Sequence, residues 1–554
     1  MKVTLNGVTT GPAGLNNGGF FGIKVQPQTY TASFYYRASQ GASVAGGKLS
    51  VGFTDGGSST VYAVSSVDVS NAHVGVWTNY TVSITATVSA PSTKNNFFVQ
   101  FPTGSQGEFE FNLISCFPPT FKNRPNGARL DIAQAFADLK PGYVRFPGGN
   151  DLEGRSIAER FIWNATIGPL TNRPGRRGSW VGYNTEGFGL LELATFVEDI
   201  DATPLLAVYA GYSLNKETVP ENQLQPYIDE VINEIEFLTA PADSNPMGAL
   251  RKSLGRAQPF DIKYVEIGNE DFFAAESYRY RWPAFYNALS QKFPNISFIA
   301  TTIPSGQKVP AVDDHNYETP EYFITNFRRY ENIPRPLPKV VVGEFSVIND
   351  KTSDSLDFPS IRSAVAESIY RIGFERNSDV IIGGCYAPVL QNIDATQWTP
   401  NLILFNANIT VRSTSHLAQQ MFGVNRGDFI LKSTATNSSM TYESVRQGGE
   451  GDGKLGNLYF IATKRTNDKV LILKLASVDA NAITVNVQIQ DSKTGSEGIQ
   501  YSLSAGAGVD PDSVKNTISN PTAASIASQP ISSTDGRFTV TVPSWSVVVV
   551  TLPL

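Results

Sequence analysis

The chain is poor in the residues that most often build metal and redox sites. Its 554 residues include two cysteines, Cys116 and Cys385, and three histidines, His73, His315 and His416. No CxxC spacing occurs, and the cysteines read as two small buried thiols. Three well-separated histidines offer little to a zinc site or a Ser-His-Asp triad. Charge is also sparse, at 17% of residues, with 44 basic against 50 acidic side chains and a net charge of -6. No cluster of Lys and Arg stands out, which excludes a nucleic-acid or anionic-membrane partner. No run of ~18 apolar residues is present, so no membrane-spanning helix is expected. The run Val547–Val550 reads as a final strand. After Met1-Lys2-Val3 the sequence is polar and Gly-rich, unlike the apolar core of a signal peptide.

What the chain has is apolar and aromatic material for several cores: 41% hydrophobic residues, with 33 Phe, 22 Tyr and 6 Trp. At ~100–200 residues per domain, two to four domains are expected. Residues 1–113 carry alternating runs at Tyr30–Arg37, Lys48–Phe53, Asn79–Val88 and Phe97–Phe101, separated by Gly and Ser. This is the pattern of an antiparallel sandwich. Residues 424–554 look similar, with short β-rich runs at Leu458–Thr463, Val470–Leu475, Ile483–Ile489 and Phe538–Val542. Between them, residues 114–423 alternate short apolar runs with amphipathic stretches, as β/α units do. Seven strand candidates fall there: Tyr143–Phe146, Pro204–Tyr209, Ile262–Ile267, Ser297–Thr302, Ala311–His315, Val340–Glu344 and Val380–Tyr386. The expected fold is α/β plus all-β: a (β/α)₈ barrel, one strand short, between two β-sandwiches.

Barrel enzymes place their reactive groups at the C-terminal ends of the strands. Read in order, those ends hold Arg145 and Asn150, then Asn269, Glu270 and Asp271, then His315 and Tyr317, then Glu344. Two glutamates at the ends of different strands suit glycoside hydrolysis. One carboxyl donates a proton to the leaving oxygen while the other attacks or activates water. Glu266 lies four residues before Glu270 inside the same strand, and period two sets it on the same face, deeper, as a buried partner for Arg or Lys. Asp313-Asp314-His315 looks metal-like but lacks ligand number and spacing, so no metal is expected. Trp180 and Trp398 sit in polar, loop-like surroundings, where an indole can stack on a sugar or anchor a loop.

The motifs "FPPTFKNRPNGARLDIA", "YVRFPGGNDLEG", "FIWNATIGPLTNRPGRRGSW", "YVEIGNEDFF", "DDHNY", "VVVGEFS" and "ERNSDVIIGGCYAPVLQN" together resemble the fungal-type α-L-arabinofuranosidases of glycoside hydrolase family 51. "GPAGLNNGGFFGIKV" is similar to the start of the carbohydrate-binding-module-like sandwich of those proteins. The resemblance implies a retaining, exo-acting enzyme with its acid/base on strand four and its nucleophile on strand seven of a complete barrel. It assigns Glu270 as acid/base and Glu344 as nucleophile. Asn269 would bond a sugar hydroxyl, and Arg145 would keep the nucleophile ionised. His315, Tyr317, Asn150 and, through a looser match, Gln391 would line the sugar pocket, beside the Trp180 that its loop-like surroundings already mark as a substrate contact. Arabinose-bearing plant cell-wall polysaccharides are the implied partners, with no cofactor. Family members carry the first barrel strand ahead of the sandwich, so a barrel of seven strands is expected here, with a gap. Extracellular action is implied as well, and fits five Asn-x-Ser/Thr acceptors at Asn79, Asn164, Asn295, Asn408 and Asn437. A related glycosidase of endo-glucanase or xylosidase type, and an inactive carbohydrate-binding protein, are the alternatives.

Overall fold

The computed structural model describes all residues except 8–12, 58–59, 181, 337, 351–354, 441–448 and 491–494. The opening residues of the "GPAGLNN" motif therefore lie outside the described part.

In the middle of the chain, seven strands form one all-parallel sheet in sequence order: β1 (Tyr143–Phe146), β2 (Thr203–Val208), β3 (Tyr264–Ile267), β4 (Ser297–Ala300), β5 (Ala311–Glu318), β6 (Lys339–Val347) and β7 (Ile381–Tyr386). These are the seven expected runs. β5 and β6 extend past their expected ends because they stay paired from Ala311–Lys339 to Glu318–Val347. Leu205, Ile299, Ala311 and Val341 fill the interior, with Tyr143 and Tyr264 against them. β1 and β7 are not paired with each other, so the barrel is nearly closed but open along one seam. Tyr143 covers part of it: a Cβ at Gly383 would lie 2.6 Å from Cε1 of the Tyr143 ring, which only glycine permits. A groove of about 430 Å³ follows this seam, walled by Tyr143, Gly383, Phe422 and Arg426.

The N-terminal sandwich packs two four-stranded antiparallel sheets. Its strand Gln28–Ala38 alternates buried and exposed residues, placing Tyr30, Ala32, Phe34 and Tyr36 in the core. Its last strand runs Gly107–Phe117 into the barrel region. The C-terminal sandwich is unequal. One face of its large sheet packs against the two-stranded pair Ile483–Gln488/Arg537–Val542. The other packs on helices Ile361–Arg376 and Thr414–Val424. A small sheet of Leu390–Asn392, Ile403–Phe405 and Thr410–Arg412 has no counterpart among the expected elements, because three-residue strands leave no periodicity to read. Both cysteines are free and partly buried. Among the described residues no helix is long and apolar enough to cross a membrane.

Candidate active site

A cavity of about 410 Å³ opens at the C-terminal end of the barrel, lined by Arg145, Asn150, Glu270, Tyr317, Glu344 and Gln391, with Trp180 and Trp398 above. The sheet itself brings the charged groups together. Arg145 on β1 is level with Leu205, Ala207 is level with Glu266, and His315 is level with Glu344.

Arg145 is the hub. Its guanidinium donates to both oxygens of Glu266, to Glu344 Oε1 at 3.0 Å and to Asn269 Oδ1 at 2.7 Å. Glu266 is thus the buried ion-pair partner that its strand position suggested. His315 bridges the two candidate catalytic carboxylates. Its Nδ1 lies 3.0 Å from Glu270 Oε1 and 3.6 Å from Glu344 Oε2, while Nε2 lies 2.6 Å from Asp313 Oδ2. Burial alone would lower the pKa of His315. The charges of Asp313 and Glu344 outweigh that and raise it well above the ordinary value, so both ring nitrogens donate. Burial works the other way on Asp313, where the His315 and Arg145 cations hold the carboxyl well below its usual range. Tyr317 donates its hydroxyl to Glu344 Oε2 at 2.5 Å. Burial, then the Glu344 charge, pushes that phenol far up, so it stays a donor.

Glu270 and Glu344 face each other with carboxylate oxygens within 4.8 Å. The local backbone of Glu270 is unusual: φ is 44°, in the left-handed region that a non-glycine residue rarely adopts. Gly268, two residues earlier, has φ +98°, and a Cβ there would lie 2.0 Å from Asp271 Oδ2. Asp271 in turn pairs with buried Arg281 at 2.7 Å and accepts from Thr301 Oγ1 at 2.7 Å. The turn that carries Glu270 is therefore anchored from below.

Of the residues singled out from the sequence, Arg145, Asn150, Glu270, Tyr317, Glu344, Gln391, Trp180 and Trp398 line this cavity, while Asn269 and His315 are bonded to Arg145 and Glu270 behind it. Asn150 sits on the short helix Gly149–Glu153 that follows β1. Gln391 donates Nε2 to Thr396 Oγ1 at 3.0 Å and leaves Oε1 buried without a hydrogen-bond partner. Trp180, 46% exposed, meets Trp398 edge to face at 6.0 Å, and Trp398 lies 5.5 Å from Tyr317. Asp314 differs from its neighbours: it points away to Arg329 and Tyr330.

Glu153 is the residue that sequence reading missed. It is buried, and its Oε2 accepts from Asn150 Nδ2 and from Asn269 Nδ2, both at 3.0 Å. Burial pushes its carboxyl up to about 8 against the pull of those two amides. Its spacing of three from Asn150 on one helical turn was the available signal.

Comparison with known proteins places the chain in a family. The family described as "Alpha-L-arabinofuranosidase 1 domain" matches residues 135–335, and "Alpha-L-arabinofuranosidase C-terminal domain" matches residues 343–546. The probable α-L-arabinofuranosidase A of Aspergillus flavus is 35% identical, over 99% of this chain and 83% of the relative. The α-L-arabinofuranosidase A of Aspergillus kawachii is 32% identical over the same shares. The solved arabinose-bound MgGH51 α-L-arabinofuranosidase superposes with a TM-score of 0.90 at 37% identity, covering 100% of this chain and 87% of that one. A Thermotoga maritima α-L-arabinofuranosidase, at 17% identity and TM-score 0.59, shares the fold. The chain is thus a glycoside hydrolase by descent as well as by architecture, and it belongs to the fungal-type α-L-arabinofuranosidases of glycoside hydrolase family 51.

Proposed function

We propose that this protein removes terminal α-L-arabinofuranosyl side chains from arabinan or arabinoxylan with retention of configuration. The observation that carries this reading is the approach of the Glu270 and Glu344 carboxylates to within 4.8 Å. Retaining enzymes hold the pair ~5–5.5 Å apart, whereas inverting enzymes leave ~6.5–9.5 Å for a water.

Glu344 is the nucleophile in this reading. It receives hydrogen bonds from Arg145 and Tyr317, a setting that suits a carboxylate which attacks the anomeric carbon. Glu270, on the anchored turn, protonates the leaving oxygen and later takes a proton from water. Asn269 has Oδ1 held by Arg145 and one amide hydrogen held by Glu153, which leaves its second hydrogen for a sugar hydroxyl. The five sequon asparagines are all exposed, which supports extracellular action. Following an aryl α-L-arabinofuranoside by NMR tests the reading. The first-formed arabinose should be the α anomer; initial release of the β anomer would sink it.

Glu153 supplies a second expectation. Glu153→Ala removes the acceptor shared by Asn150 and Asn269, and kcat/KM should fall roughly 10- to 100-fold. Glu153→Gln keeps one acceptor and should stay within about 10-fold of the parent. The two proteins should also differ in pH dependence. With its folded pKa raised, Glu153 contributes stability below the unfolded value near 4.5 and loses it as pH rises towards about 8. Glu153→Gln has no such loss. Chemical unfolding between pH 5 and 8 should show the variant gaining on the parent by up to ~1.4 kcal/mol per pH unit. Parallel pH profiles would contradict the assignment.

A further inference from the structure

Asp313 stands behind the cation that the two glutamates share. Its side chain is buried, and each of its oxygens meets a different donor. Oδ2 lies 2.6 Å from His315 Nε2. Oδ1 accepts the backbone N–H of Gly343 on β6 at 2.7 Å. Both contacts lead to a glutamate. His315 Nδ1 lies 3.0 Å from Glu270 and 3.6 Å from Glu344, and Gly343 immediately precedes Glu344.

The Gly343 contact falls where the sheet is irregular. Val341 is level with Asp313, and Glu344 is level with His315. Over this stretch β6 therefore carries one residue more than β5, which makes a bulge. In a regular strand, side chains two apart share a face and side chains three apart do not. Val341 faces the barrel interior, while Val342 and Phe345 pack in the outer core. The extra residue is what turns Glu344 to the same side as Val341. Gly343 sits in the bulge, and a Cβ there would lie 2.3 Å from Asp313 Oδ1. The Asp313 carboxylate fills the space that any other residue at 343 would need.

The His315 contact sets a charge. In the roles given above, the pair of glutamates carries one negative charge in each half of the reaction. Glu344 is ionised and Glu270 protonated before attack. Once Glu344 is esterified by the sugar and Glu270 has given up its proton, Glu270 is the anion. A permanent cation within reach of both serves both states. An unperturbed imidazole is half neutral at about pH 6.5, so permanence needs a fixed anion on Nε2. The groups around Asp313 and His315 are Tyr143 and Arg145 from β1, Glu266 and Glu270 from β3, Glu344 from β6 and Cys385 from β7. Arg145, the other cation, already donates to Glu266, Asn269 and Glu344. We propose, resting on the roles given above to Glu270 and Glu344, that Asp313 is a positioning residue for both: it holds the His315 imidazolium between them and pins the bulge that aims Glu344.

Two measurements test this. The first uses Asp313→Asn, which keeps the size of the side chain. Its amide oxygen can still accept from Gly343, which leaves the NH₂ group facing His315. Nε2 then accepts, and the ring becomes neutral with its proton on Nδ1. A nearby cation lowers a carboxyl pKa, so its loss raises both glutamates. Both limbs of the kcat/KM profile on methyl α-L-arabinofuranoside should move up by about one pH unit or more, and the rate at the parent's optimum should fall ~10-fold or more. Asp314→Asn should leave both limbs in place, because Asp314 points to Arg329 and Tyr330. A uniform fall at every pH in Asp313→Asn, or an equal movement of the limbs in Asp314→Asn, would overturn the inference. The second measurement needs no turnover. Heteronuclear NMR of the parent labelled in its three histidines, with His315→Gln to identify the resonances, reads the ring directly. Both ring nitrogens of His315 should carry the imidazolium signature up to at least about pH 8, and Asp313→Asn should show the neutral ring at about pH 7. A neutral His315 in the parent at about pH 7 would overturn the inference even if the variant failed to fold. A cationic His315 in a parent that released no arabinose would refute the hydrolase reading and leave the hold of Asp313 on His315 standing.

Discussion

Glu344→Ala is expected to reduce turnover of every arabinofuranoside by roughly 10⁴- to 10⁶-fold, because no glycosyl-enzyme can form. Glu270→Ala should behave differently. In the proposed roles it removes the proton donor and the later base, so hydrolysis of a natural side chain should fall ~10²- to 10⁴-fold. An activated aryl arabinoside departs with little protonation, so its first step should largely survive. Breakdown of the intermediate would then limit turnover, and a burst of phenol should appear. Azide separates the two roles, since it attacks without a base. With Glu270→Ala it should intercept the intermediate and give the arabinosyl azide of retained configuration. With Glu344→Ala it can act only by direct displacement from the opposite face, with inversion. The motivating geometry is the pair of carboxylates just after β3 and on β6, joined through His315 at 3.0 and 3.6 Å. Inverted azide from the Glu270 variant and retained azide from the Glu344 variant would reverse the roles.

Arg145→Met should damage folding and activity together. Arg145 is a buried cation that contacts Glu266 and Glu344 directly and lies 4.0 Å from Asp313. Deleting it leaves three acids to the single charge of His315. Breaking a buried ion pair from one side costs ~3–5 kcal/mol, because the partner stays buried and unpaired. Activity should fall at least ~100-fold through loss of the donor to Glu344. Arg145→Lys should recover part of the stability but little of the activity, since one ammonium cannot reproduce a planar fork that meets Glu266, Asn269 and Glu344 at once. The double variant Arg145→Met/Glu266→Gln separates the effects. Burial pushes the Glu266 carboxyl up to about 8, so well above that pH thermal unfolding should show stability regained once the stranded carboxylate is neutralised, while kcat stays low. If the double variant were no more stable than Arg145→Met alone, the pair would not be the source of the loss.

The groove along the β1–β7 seam follows from the same strand count that the sequence implied. The sheet runs from β7 to β1 without closing, and Tyr143 over Gly383 shields only part of the edge. Unpaired parallel edges are a pairing and aggregation hazard in any sheet.

Much of this molecule could be read from local sequence. The seven barrel strands are short apolar runs whose order survives without any knowledge of packing, and the alternation in Gln28–Ala38 declares a sandwich strand by itself. Glu270 and Glu344 were legible because each stands at the end of such a run, where barrel geometry allows one place for it. Glu266 was legible as buried by period two alone. Other features depended on residues far apart in the chain. The Arg145 guanidinium gathers Glu266, Asn269 and Glu344 from 121, 124 and 199 residues away, and no spacing rule reaches so far. His315 becomes an imidazolium because Asp313 and Glu344 converge on it from two strands. Glu153 acquires its role when β3 delivers Asn269 to the same oxygen that holds Asn150. Local sequence determined the elements and the chemical types at their ends, since periodicity and turn residues act over a few positions. Tertiary structure alone decided which charges share a dielectric and which donors face which oxygens, because those energies depend on distance in space.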